Sequence, residues 1–429
     1  GLDTAWALTG LNQGVRYYVA LTAQDTQGHE SSYSEERSAV PASVPRPPEG
    51  LSAIPLHRAV ELDWLPNSEG DLEGYNVYRS MTSGSGYNVI NPSLVTDTTY
   101  LDTLFPADTF YYYVLTAVDS LGNESGYSGE ASSRPLFLDS GILLVDETTN
   151  GPGNPYFPND EQVDSFYHDI LQGYSYTDWE NSDGASPPSL WNLGHYSTII
   201  WHSDDYFQQY LPADTQALQS YLRAGGNLWL VGFRNLRSLG GAYPGFYPPG
   251  EFPYDYLHLS WASEQYENDF TGATGLLGYA SLDVESLKTL PTWDGKLPFI
   301  NILIPRDSET IYTFNSASGD TFYQDHPCGV RWLGPDHKVV FLAFPLYCME
   351  GGQPRLVAEK VLADFGEPVG TEERAESQIP VAKSQLLQNY PNPFTNQTHI
   401  AYSIWHIADA RDAISRKPLA ISLRVYDLR

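Results

Sequence analysis

The residues of this chain with the clearest capacity for chemistry follow short apolar runs. Asp146 and Glu147 come after the run 141–145, His202, Asp204 and Asp205 after 195–201, and Arg234 shortly after 228–231. Four carboxylates and one imidazole at one sheet edge could hold a hard cation of the calcium kind or act as an acid/base pair. The competing reading is that carboxylates after strands cap the next turn or helix, and that several coincide in an acidic chain. Cys348 and Glu350 follow the last apolar run, so a Cys348–His202 nucleophile pair is a second arrangement. It competes with a plain buried thiol and with a Cys328–Cys348 disulfide. No Cys-x-x-Cys, His-Glu-x-x-His, calcium-loop, phosphate-loop or Gly-x-Ser-x-Gly pattern occurs.

The elements that must position these residues alternate in type. Residues 141–145 read as a buried strand, and 160–171 as a helix with Val163, Phe166, Ile170 and Leu171 on one face. Further strands are expected at 174–179 and 195–201, then a helix at 212–222 ended by Gly225-Gly226-Asn227, and a strand at 228–231. A strand at 338–344 and a helix at 355–365 close the series. Such alternation predicts a parallel sheet covered on both faces, with ligands outside the carboxyl ends of the strands.

This order, with its Leu222-Arg-Ala-Gly-Gly-Asn-Leu turn, resembles the flavodoxin-like core of class I glutamine amidotransferases over residues 138–366. The resemblance implies, for enzymatic members, a cysteine on the turn after 228–231 and a His-x-Glu after the last strand. The turn here reads Gly232-Phe233-Arg234-Asn235, and the later stretch Phe344-Pro345-Leu346. It therefore implies no glutaminase activity, no catalytic residues of that kind, and a binding or structural role. An aromatic and proline-rich insertion at 240–261 offers a further expectation, glycan binding through exposed rings of Tyr243 to Tyr256.

Ahead of this region the chain repeats itself. Asp25-Thr-Gln-Gly-His-Glu-Ser-Ser-Tyr-Ser recurs 94 positions later as Asp119-Ser-Leu-Gly-Asn-Glu-Ser-Gly-Tyr-Ser, each after an aromatic strand, at 17–23 and 111–117. That period suits one β-sandwich module. With Trp64 and the segment 72–80, the pattern resembles fibronectin type III modules, and Tyr17 and Tyr111 take the tyrosine-corner position. Residues 1–41 are expected to be the last strands of one module and 45–135 a complete second one, acting as spacers.

Residues 367–384 are charged and poor in aromatics, as a linker would be. Residues 385–429 follow, carrying Asn389-Tyr390-Pro391-Asn392-Pro393-Phe394 and alternating apolar residues at Ile400, Tyr402 and Ile404. This tail resembles the C-terminal sorting domain of proteins exported by the type IX secretion system of Bacteroidetes-like bacteria, in truncated form. The resemblance implies type IX machinery as a partner and a secreted or outer-membrane surface location.

Composition narrows the classes. The 53 acidic against 23 basic side chains give a net charge of -30, which phosphate backbones and anionic membranes repel, so nucleic-acid binding is excluded. No apolar run approaches the roughly 20 residues that span a bilayer. Two cysteines cannot make a disulfide-stapled scaffold. The expected fold class is multidomain: all-β fibronectin-like sandwiches, an α/β flavodoxin-like parallel-sheet domain, and a small partial β-sandwich. Since the first motif met is the second half of a sandwich, the chain is expected to be a piece of a longer protein. The expected function is that of a secreted or cell-surface bacterial protein whose α/β domain binds or scaffolds, with an extracellular glycan or protein as partner and no cofactor unless calcium. The alternative is a secreted hydrolase using the acidic crevice or Cys348 and His202.

Overall fold

The computed structural model describes residues 5, 8–11, 15–40, 44–103, 109–148, 150–155, 157–181, 186–204, 215–237, 239, 245–369, 384–386 and 402–404. The chain forms two compact units, 1–370 and 371–429. In the second, two short strands, 384–386 and 402–404, pair antiparallel. The sorting motif Asn389 to Phe394 and Asp205 lie outside the described residues.

The first unit opens with β1 (Tyr17–Val19) paired antiparallel to β2 (Arg37–Ala39). A complete sandwich follows. One sheet holds β3 (Glu49–Leu56), β4 (Ala59–Leu65) and β7 (Thr99–Asp102). The other holds β6 (Asn88–Val89), β5 (Leu72–Ser80), β8 (Tyr111–Asp119) and β9 (Ala131–Ser133). This three-plus-four arrangement is the Fn3-like sandwich. Alternate residues of facing strands fill its core: Val60, Leu62 and Trp64 from β4, Tyr75 and Val77 from β5, and Tyr111, Tyr113, Leu115 and Ala117 from β8. Trp64 meets Tyr75 edge-on at 5.3 Å. Tyr111 is fully buried at the start of β8, while the turn upstream of it, 104–108, lies outside the described residues.

The 94-residue repeat is a repeated set of side-chain hydrogen bonds. Asp25 Oδ1 accepts from the backbone N–H groups of Gln27 and His29, and Asp119 Oδ1 from those of Leu121 and Asn123. Ser31 and Ser34 Oγ accept from the N–H groups of Ala23 and Leu21, as Ser125 and Ser128 do from Ala117 and Leu115. The strand pairing repeats too, with Tyr17 opposite Ala39 and Tyr111 opposite Ser133.

The α/β domain begins at β10 (Ile142–Asp146) and α1 (Asp160–Ile170). It continues through β11 (Tyr176–Glu180), α2 (Leu190–Leu193), β12 (Thr198–Ser203), α3 (Gln216–Arg223) and β13 (Asn227–Gly232). Next come β14 (Gly245–Phe246), α4 (Phe252–Asp255), β15 (Leu259–Glu264), β16 (Phe270–Gly275), β17 (Leu282–Asp283), β18 (Asn301–Pro305), β19 (Glu309–Ser316), β20 (Pro327–Leu333), β21 (Lys338–Leu342) and α5 (Gln353–Phe365). The main sheet has nine strands in the order β11-β10-β12-β13-β21-β20-β19-β16-β17. Its first five are parallel and in the flavodoxin-like order, with the switch point between β10 and β12. The last four are antiparallel additions. The domain thus contains the expected parallel sheet as its first five strands, extended into a mixed sheet by the four antiparallel ones.

Both faces are covered, as alternation along each strand requires. Ile142, Leu144, Ile200, Trp229 and Val231 face α1 and α5 through Val163, Tyr167, Val357 and Val361. Leu143, Val145, Ile199, Trp201 and Leu230 face α2 and α3 through Leu193, Leu218 and Tyr221. The insertion also packs on this second face, where Tyr247, Phe252, Leu257 and Leu259 are buried and β14, β15 and β18 make a separate small sheet. Helix α1 starts as its sequence dictates: Asn159 accepts from the Gln162 N–H while the Gln162 side chain accepts from the Asn159 N–H, a capping box worth about 1 kcal/mol.

Candidate functional site

Strands β10 and β12 flank the switch point, and their register sets Asp146 beside His202. The His202 ring stacks on Tyr167 of α1, with centroids 3.7 Å apart at 21°. Its Nδ1 lies 3.4 Å from Asp146 Oδ1 and 3.3 Å from Asp204 Oδ2. Asp204 also accepts hydrogen bonds from the Tyr167 hydroxyl at 2.8 Å and the Tyr347 N–H at 3.0 Å. Burial alone would pull the His202 imidazole down, but Asp146 and Asp204 outweigh it and hold the proton more tightly than usual. Burial likewise raises Asp146.

This cluster is closed. His202 and Glu147 are 0% exposed, and Asp146 and Asp204 4% each, so the imidazole is shut off from solvent. Glu147 accepts from the Asn181 side chain at 3.0 Å. Arg234 pairs with Glu264 at 2.8 Å, which Arg237 also binds, and its guanidinium lies 3.8 Å from the Phe299 ring centre. Of the residues expected to gather at one edge, the structure therefore brings together Asp146, His202 and Asp204, and it gives Arg234 a separate partner. Arg234 also has φ +56°, a left-handed backbone on the turn after β13 that side-chain-bearing residues rarely adopt.

Cys348 is not arranged as a nucleophile. It is buried, and burial followed by the Asp204 carboxylate pushes its thiol well up, the reverse of thiolate activation. Cys328 is buried too, and burial alone raises its thiol; the two cysteines are free rather than bonded to each other. Of the insertion's rings expected to bind glycan, Tyr243 lies outside the described residues, and Tyr254 and Tyr256 are half-buried. Phe246 is exposed, but Tyr247 and Phe252 are buried because they complete the apolar face of the sheet.

A second constellation shares Asp146. One carboxylate oxygen from each of Asp146, Asp160 and Glu180 lies within 4.8 Å of the others. Burial, then Asp146 and Glu180, push the Asp160 carboxyl up to about 7. These carboxylates end β10 and β11 and begin α1, and the β10–β11 register sets Asp146 opposite Glu180. From sequence, Asp160 reads as a helix-start acid and Glu180 as a strand end; the parallel pairing that unites them with Asp146 is the signal that would have found the group.

No family model matches the chain. It is similar to an amylopullulanase of Thermoanaerobacterium thermosulfurigenes, 32% identical over 154 residues, which are 36% of this chain and 8% of the relative. It is also similar to an exo beta-1,2-glucooligosaccharide sophorohydrolase (non-reducing end) of Parabacteroides distasonis, 31% identical over 132 residues, 29% of this chain and 18% of the relative. Among solved structures, an Fn3-like protein from Clostridium thermocellum is 36% identical with a TM-score of 0.20, covering 23% of this chain and 99% of that one. The chain spans less than a fifth of the length of these curated relatives. What it shares with them is the Fn3-like sandwich module described above.

Proposed function

We propose that this chain belongs to a secreted or cell-surface modular protein in which the Fn3-like module and an amidotransferase-like α/β domain form a non-catalytic binding or scaffold unit. The closed switch point carries this reading. In a flavodoxin-like sheet the ligand enters between the first and third parallel strands, and here Tyr167, His202 and Asp204 fill that place with a buried, mutually paired cluster. The turn after β13, where an amidotransferase nucleophile would sit, holds Arg234 in a left-handed conformation tied to Glu264. The same burial counts against a hydrolase working through His202 or Cys348.

The similarity to an amylopullulanase and to a beta-1,2-glucooligosaccharide sophorohydrolase supports an accessory part, spacing or presenting, in a larger protein that acts on polysaccharide. The resemblance of 385–429 to a type IX sorting domain supports export by that route. Purified chain should release no product from glutamine, p-nitrophenyl esters or glucans above buffer. Turnover that disappears in His202→Gln or Cys348→Ser would overturn the non-catalytic reading. Export is tested apart: removing 386–429 from the complete gene should trap the product in the periplasm, and unchanged secretion would sink that part.

A further inference from the structure

We propose that Asp146, Asp160 and Glu180 bind a hard divalent cation, calcium being the better fit, at the carboxyl ends of β10 and β11. The three carboxylates converge within 4.8 Å, and crowded like charges disfavour one another unless a cation or proton lies between them. The independent observation is an oxygen left over. Asp146 is 4% exposed; its Oδ1 accepts the Thr148 N–H at 2.7 Å, whereas its Oδ2 is buried with no hydrogen-bond partner. Asp160 Oδ1 is buried and unpartnered as well, and so is the neutral Oδ1 of Asn181, the residue after Glu180. A buried carboxylate oxygen with nothing to bind costs the full desolvation of that group, and a cation relieves it.

The span suits calcium. At calcium–oxygen distances of about 2.3–2.6 Å, ligands on opposite sides stand up to about 5 Å apart, whereas magnesium at about 2.1 Å holds them closer. Calcium also accepts irregular sets of six to eight oxygens, so carboxylates, an amide oxygen and water suffice. Asp160 is half-buried and Glu180 exposed, which leaves an entry path. The ion would pin the start of α1 to two strands, a structural role that does not depend on the reading of the α/β domain given above.

The full chain, stripped with EDTA, should gain about 2–4 °C in Tm on adding 5 mM CaCl2. Asp160→Asn and Glu180→Gln, which keep side-chain volume, should each abolish the gain, while the exposed Asp294→Asn should keep it. Terbium luminescence sensitised by Trp179, next to Glu180, should titrate on the wild-type chain and be displaced by calcium, which reads the site even if a variant folds poorly. No calcium shift in the wild type, or equal shifts in all variants, would overturn the proposal and leave a proton shared by Asp146 and Asp160. An equal shift with MgCl2 would overturn the calcium preference.

Discussion

At the scale of single residues, the charged side chains that matter most are those taken out of water. Arg79 grips both oxygens of Asp102, at 3.0 and 2.8 Å, and Asp102, 3% exposed, also accepts the Tyr113 hydroxyl. Arg79→Met would leave that carboxylate buried without its cation, and we expect a loss of about 3–5 kcal/mol in urea unfolding of the Fn3-like module. Cys348 should resist iodoacetamide at pH 7.5 in the native protein and react once the chain is unfolded, because burial and Asp204 keep its thiol protonated. His258 stacks on Trp332 at 3.9 Å and lies 5.7 Å from His337. Burial lowers both imidazoles from 6.5, against the pull of Asp307 and Asp255 on His258 and of Asp336 on His337. The unfolded chain then binds protons that the folded one refuses, so this pair subtracts stability as pH falls through 6.5. Their ring signals in NMR should titrate only below that value, and a normal titration would contradict the assignment.

At the scale of elements, the repeat and the sheet show how local chemistry fixes register. Asp119, Ser125 and Ser128 satisfy backbone donors where the chain leaves the regular ladder between β8 and β9, which is why these residue types recur at a fixed spacing while positions such as Gln27 and Leu121, or His29 and Asn123, differ. Ser125→Ala should therefore weaken the module by about 1 kcal/mol, measurable by chemical denaturation. In the α/β sheet, Gly232 ends β13 with φ +134°, and a Cβ there would stand 2.1 Å from the Ser203 carbonyl oxygen. Gly232→Ala would force β12 and β13 apart beside His202, at a cost of about 2 kcal/mol or more, read as a fall in Tm. The buried strands were legible because uninterrupted apolar runs are local signals. The antiparallel strands β16, β19 and β20 were not, since Thr, Gly and Tyr alternate there with residues that become buried only through the neighbouring strand.

At the scale of the whole first unit, the Fn3-like module and the α/β domain meet through a built joint. The Leu136 N–H donates to the Leu56 carbonyl, Arg58 reaches Asp139 at 2.8 Å, Arg223 reaches Glu61 at 2.6 Å, and Phe110 and the Arg134 guanidinium pack on Trp191. Leu136 is 1% exposed and wedged against Gly194. Leu136→Asp should split a single calorimetric transition into two and lengthen the particle in X-ray scattering; one unchanged transition would show that the joint carries little energy. By itself the sequence determined the modular order, the sandwich with its inward Trp64, and the alternation of strand and helix around β10 to β13, because each depends on periodicity and turn chemistry within a few tens of residues. Only the tertiary structure decided what the chemical residues do. Strand order, register and helix docking close His202 under Tyr167, tie Arg234 to Glu264, and bring Asp160 and Glu180 to Asp146, and these distances are set by pairings between segments that nothing local in the sequence encodes.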